Sequence, residues 1–161
     1  METRSEKAQQ LFKEGYNCSQ AVFGAFSDDI GMELKNALRI ASSFGGGMGR
    51  LREVCGAVSG MFMVAGIIYG YDEPRDTEAK KEHYQLIQEL AERFKDTNGS
   101  IVCRELLGLG KGPDNPTPEV RTESYYKKRP CAEYVKCAAE IMEQCINEKK
   151  AEAVSDDMLP L

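Results

Sequence analysis

Sixteen consecutive residues, Val54 to Tyr69, carry no charge, and whatever covers that run decides the fold. A helix over the segment rises about 24 Å at 1.5 Å per residue, short of the ~30 Å hydrocarbon core of a bilayer. Gly56, Ala57, Ser59 and Gly60 near its start let another backbone come close. The run therefore reads as a buried central helix, expected from about Arg52 to Tyr69, that other elements must enclose.

The rest of the chain supplies that enclosure as helices, because apolar residues recur at spacings of three and four and alternating strand patterns are scarce. Ser5 caps a helix predicted to run to Glu14, and Gly15 stops it. Asn17 caps a second, with Ala21, Val22, Ala25 and Phe26 on one face and Gly31 as its terminator. A third spans Glu33 to Ser43. Asp76 or Thr77 opens a long amphipathic helix with Ala79, Leu86, Ile87, Leu90, Ala91 and Phe94 inward, closed by Asn98-Gly99. Ser100 caps a short helix from Ile101 to Leu107. Gly108 to Pro118 alternates glycine and proline with polar residues and reads as a loop of lid length. Pro130 sits in the first turn of a final helix whose stripe is Tyr134, Val135, Ala138, Ile141, Met142 and Cys145. The expected fold is all-α, a single-domain bundle of about seven helices over residues 1–150, with 151–161 as a flexible C-terminal tail.

Charge narrows the partners. The chain carries 21 basic and 26 acidic residues among 161, net −5, with no dense Lys/Arg stripe. No nucleic acid is expected, since its phosphates would find little to hold them, and no membrane insertion. The polar start, Met1 to Lys7, lacks the apolar run of a secretory leader, so the expected compartment is cytoplasmic. There, scattered thiols serve as small core residues, metal ligands or redox groups more than as structural disulfides.

Six cysteines are present. Cys18, Cys55, Cys103 and Cys131 each fall in the first turn of a predicted helix, whereas Cys137 and Cys145 lie inside the last one. Unpaired amides and a partial positive charge at a helix start favour a thiolate. If those four starts converge, four thiolates share one pocket. Gly45-Gly46-Gly47-Met48-Gly49-Arg50, just before Cys55, is a tight loop that lets backbone approach closely. It lacks the Gly-Lys-Ser/Thr ending of a phosphate loop. Gly45, Gly46, Gly47, Arg50 and Gly56 are the residues expected to line a cofactor beside Cys55. Arg50 or Arg52 either balances thiolate charge or lies as a solvated surface charge. With His83 as the only histidine, a Cys–His or Ser–His–Asp arrangement is hard to build and hydrolytic catalysis is disfavoured, while enzyme activity as such is left open.

The segment Gly45 to Gly60, containing Cys55-Gly56-Ala57-x-x-Gly60, resembles the signature of the C_GCAxxG_C_C family of redox-active proteins. The family label writes its glycine before the cysteine, whereas here Cys55 precedes Gly56. Cys18 in Tyr16-Asn17-Cys18-Ser19-Gln20, Cys103 in Cys103-Arg104-Glu105-Leu106-Leu107-Gly108 and Cys131 in Cys131-Ala132-Glu133-Tyr134 complete the pattern. The family is similar to the non-haem part of split-Soret cytochrome c, where clustered cysteines accompany an iron–sulfur centre. The resemblance makes Cys18, Cys55, Cys103 and Cys131 candidate metal ligands; Cys137 and Cys145 lie outside the four-cysteine pattern, and either could substitute for a ligand, which leaves the fourth open. It implies electron transfer or redox sensing, with a 2Fe-2S cluster as cofactor. No Cys-x-x-Cys-His occurs, so no haem attachment is expected. A metal-free dithiol/disulfide function stays open. So does a structural zinc or partner-binding module, although zinc is less favoured without close ligand pairs. A redox partner protein of unknown identity is implied, and a homodimer is an open expectation.

Overall fold

The fold was analysed as a computed structural model that describes residues 1–158; Leu159 to Leu161, the end of the expected tail, lie outside the described residues. Among the described residues eight helices form: α1 (Arg4–Lys13), α2 (Cys18–Ala25), α3 (Leu34–Ala41), α4 (Gly56–Tyr69), α5 (Thr77–Asn98), α6 (Cys103–Leu106), α7 (Glu123–Lys128) and α8 (Cys131–Asp157). A helical turn at Gly45–Met48 is interrupted by Gly46 and Gly47 at positive φ, so it acts as a loop. Among the described residues there is no strand, and the one β-bridge pairs Val54 with Val102. The all-α expectation holds. Among the described residues no helix is long and apolar enough to cross a membrane.

The charge-free run is the central helix α4. Its start packs on α2, its flank on α8, and α5 lies along it. Val58, Met61, Val64 and Ala65 are fully buried, among Ala21, Val22, Phe23, Phe94 and Met142. Added Cβ atoms at Gly56 and Gly60 would sit 2.9 Å from Phe44 O and Ser19 O. Those glycines are what allow α2 to lie so near, because anything larger would push the helices apart.

Several expected boundaries move. The first cap is Thr3, not Ser5: Thr3 and Glu6 exchange side chain-to-amide bonds in a capping box. The central helix starts at Gly56 rather than Arg52, because Arg52 is left-handed (φ 61°) and Val54 is in the bridge to Val102. Helix α3 ends at Ala41 and gives way to a 3-10 turn, Ser42–Phe44. The short helix begins at Cys103; the Ser100 hydroxyl accepts from the Val102 amide instead. Pro130 precedes α8 as its cap residue. Helix α7 had no counterpart in the periodicity, since six residues with two tyrosines give too little pattern to register. Along α5 only Leu90 and Phe94 are fully buried; Ala79, Leu86, Ile87 and Ala91 are half-buried. Helix α8 continues through Asp157, into the stretch expected to be tail, with residues 151–158 exposed.

Candidate functional site

The four cysteines of the pattern occupy equivalent places in the fold. Cys18 opens α2, Cys103 opens α6 and Cys131 opens α8, while Cys55 is the cap residue of α4. All four line a single cavity of about 270 Å³. The sequence suggested that helix starts could converge, and here they do. Cys137 and Cys145 are not among the lining residues. Cys145 is buried near Lys149, and Cys137 takes a hydrogen bond from Asn98 Nδ2 at 3.4 Å.

Two local devices bring distant cysteines together. The Val54–Val102 bridge aligns the strand-like approaches to Cys55 and Cys103: the Cys55 amide donates to Ile101 O at 2.8 Å and the Cys103 amide to Glu53 O at 2.6 Å. The second device is the glycine loop. A Cβ at Gly47 would fall 2.6 Å from Cys103 Cβ and 2.9 Å from Arg52 Cα. One at Gly45 would overlap the Asn17 side chain beside Cys18. The loop is thus a packing element that seats α2 and α6 around the cavity. Gly45, Gly46, Gly47, Arg50 and Gly56, expected beside a cofactor, all line the cavity.

A strap closes one side. The stretch from Leu109 to Thr122 has no helix, and its Pro116, Pro118 and Glu119 line the cavity. Asp114 anchors it. The carboxylate pairs with Arg52 at 2.9 Å and Arg50 at 3.2 Å, and the Asp114 amide donates to Arg50 O at 2.9 Å. Arg50 also donates to Asn115 O. Glu119 pairs with Arg129, and Arg121 donates to Phe12 O and Tyr16 O, both at 3.0 Å, with its guanidinium 4.3 Å from the Phe12 ring centre. Four arginines therefore surround the thiols, each held by protein groups. Sequence reasoning weighed Arg50 and Arg52 but missed Arg121, Arg129 and Asp114. Only Arg129, two residues before Cys131, carried any local signal; the others are brought in by the tertiary path of the strap.

The thiols are not electrostatically alike. Cys18 donates a hydrogen bond to Cys131, which together with burial pushes the Cys18 thiol well up. The same bond, aided by Arg129, Arg121 and Arg52 against the opposing effect of burial, lowers Cys131 to about 7. Arg129, Arg121 and Arg52 all act to favour the Cys131 thiolate, whereas the bond to Cys131 and burial act against the Cys18 thiolate. Burial pushes Cys55 up to about 12, against the Ala57 and Val58 amides that favour its thiolate. Cys103 is also raised by burial, opposed by the Arg52 guanidinium, whose Nη1 donates to its sulfur at 3.6 Å. Among the described residues, no three His, Cys, Asp or Glu side chains are arranged to hold one metal ion.

Residues 16–145 match the family described as "Putative redox-active protein (C_GCAxxG_C_C)". The chain belongs to this family. The match spans all four cavity cysteines, the glycine loop and the strap. It also includes Cys137 and Cys145, which stand apart from the cavity. No curated protein and no solved structure matches the chain.

Proposed function

We propose that this C_GCAxxG_C_C protein is an electron carrier or redox sensor in which Cys18, Cys55, Cys103 and Cys131 hold a 2Fe-2S cluster. The observation that carries the reading is four thiols from four separate helix starts lining one cavity of about 270 Å³. The donor set suits the group: a 2Fe-2S centre takes four thiolates, two at each iron, and needs no three ligands at one point. When bound, the cluster accepts and returns single electrons. The chain's own part is electrostatic. Four thiolates are costly to bury unless positive charge is near, and Arg52, Arg121 and Arg129 stand at the cavity wall in fixed positions. The strap places Pro116 and Pro118 against the same cavity as the thiols. Anaerobic reconstitution with iron and sulfide is expected to give visible charge-transfer absorption and two irons and two sulfides per chain. Colourless, iron-free protein under those conditions rejects the cluster.

A second reading is favoured by one contact. Cys131, near neutral titration, is hydrogen-bonded to the Cys18 thiol, which is the arrangement of an attacking thiolate beside a resolving thiol. In that reading the two sulfurs join as a disulfide, losing two electrons and two protons to a dithiol-specific oxidant. Peptide mapping after oxidation would show a Cys18–Cys131 link, and unchanged free-thiol counts reject it. In the cluster reading a partner protein supplies the electrons; in the disulfide reading the thiols give two electrons to the oxidant, and a dithiol reductant returns two electrons and two protons to restore them.

A further inference from the structure

Arg52 is anomalous three times over. It is a long cationic side chain only 4% exposed. Its backbone is left-handed, φ 61°, a region non-glycine residues seldom occupy and one that costs energy to hold. Its guanidinium splits its donors between a sulfur and a carboxylate: Nη1 reaches Cys103 Sγ at 3.6 Å, while Nη2 and Nε reach Asp114 Oδ2 at 2.9 and 3.3 Å. The strained backbone is fixed from both sides, by the Arg52 amide on Gly46 O and the Glu53 amide on Gly47 O. Surface charge has no need of such an arrangement. A fork held rigidly between a thiol and a counter-ion does something particular to that thiol.

We propose that Arg52 is the positioning residue that sets the reduction potential of the four-thiol centre, with Asp114 of the strap fixing how much of its charge the sulfur feels. The inference rests on the cluster reading above. Its physics is simple. Adding one electron makes the centre more negative. A cation donating to a ligand sulfur stabilises that reduced state, and an anion on the far side of the same cation weakens the effect. The two residues must therefore act with opposite sign. Arg50 shares Asp114 without reaching any thiol, so it holds the strap and not the sulfur.

The test is a redox titration of the reconstituted protein, dithionite supplying one electron per centre. Arg52→Gln is expected to disfavour reduction about tenfold, which is 59 mV downward for one electron. Asp114→Asn is expected to favour it about threefold, shifting the potential upward. Arg52→Lys keeps the charge but loses the fork and should fall between Arg52→Gln and wild type. Looser packing alone would move Arg52→Gln and Asp114→Asn the same way, so shifts of one sign, or none, overturn the proposal. If Arg52→Gln does not fold, Asp114→Asn and Arg52→Lys still carry the sign test. Should wild type take up no cluster, the cluster reading fails by itself, and Arg52 is then read on the reduced apo-protein. There, iodoacetamide labelling of Cys103 relative to Cys137 should slow at least threefold in Arg52→Gln and recover in Arg52→Lys. Equal ratios in all three proteins overturn the assignment.

Discussion

Gly47 and Gly49 sit two residues apart in the same loop with nearly the same backbone, φ 66° and 60°. Replacing either with alanine imposes the same left-handed penalty, about 1–2 kcal/mol. Their surroundings differ sharply. The new Cβ at Gly49 would meet only Ser43 O at 3.8 Å, an ordinary contact, whereas at Gly47 it would meet Cys103 Cβ at 2.6 Å, Arg52 Cα at 2.9 Å and Glu53 N at 2.9 Å. Two of those three atoms are backbone and cannot rotate away. Overpacking of that kind adds roughly 1–3 kcal/mol, so Gly47→Ala should cost about 2 kcal/mol more than Gly49→Ala. With a urea m-value of about 2 kcal/mol/M, the Gly47→Ala midpoint should lie about 1 M below that of Gly49→Ala. Because the displaced atoms carry Cys103, Gly47→Ala should also fail to reconstitute under conditions where Gly49→Ala succeeds. Equal midpoints for the two variants would refute the claim that the loop is shaped by contact with the cysteine helix rather than by backbone freedom alone.

Other outcomes follow from the same geometry. In wild-type apo-protein, labelling of Cys131 should fall as pH drops through about 7, where its thiolate gains a proton. Cys18→Ala removes the thiol that donates to Cys131, so the midpoint moves upward and labelling at pH 7 slows by roughly tenfold; an unmoved midpoint contradicts the hydrogen-bond assignment. The double replacement Cys137→Ala, Cys145→Ala should cost about 1 kcal/mol from truncation at the buried Cys145 and leave iron uptake unchanged, as metal analysis would show. Asn17→Ala loses a capping box with Gln20 and a bond from Nδ2 to Ser42 O at 3.1 Å. A drop of about 1–2 kcal/mol in unfolding free energy is expected, and a smaller one would mean that the glycine loop needs no tie to α2.

Helix identity was legible because it depends on neighbours in the chain. The stripe of α8 and the stops at Gly15 and Gly99 could all be read directly, and so could the Asn17 cap. The four cysteines singled out by the resemblance around Cys55-Gly56-Ala57-x-x-Gly60 line one cavity. The start of α4 was misplaced by four residues because a left-handed arginine looks like any other arginine in sequence. Helix α7 was invisible for want of length.

Local periodicity and capping thus settled by themselves that the chain is helical and that four thiols stand at helix starts, since those properties are fixed within a turn or two of backbone. Which charges face those thiols was decided only by tertiary structure. Asp114 lies 62 positions from Arg52, and Arg121 lies 105 from Tyr16. Contacts across such separations depend on how the strap and the glycine loop fold back over the cavity, and no local pattern encodes that path.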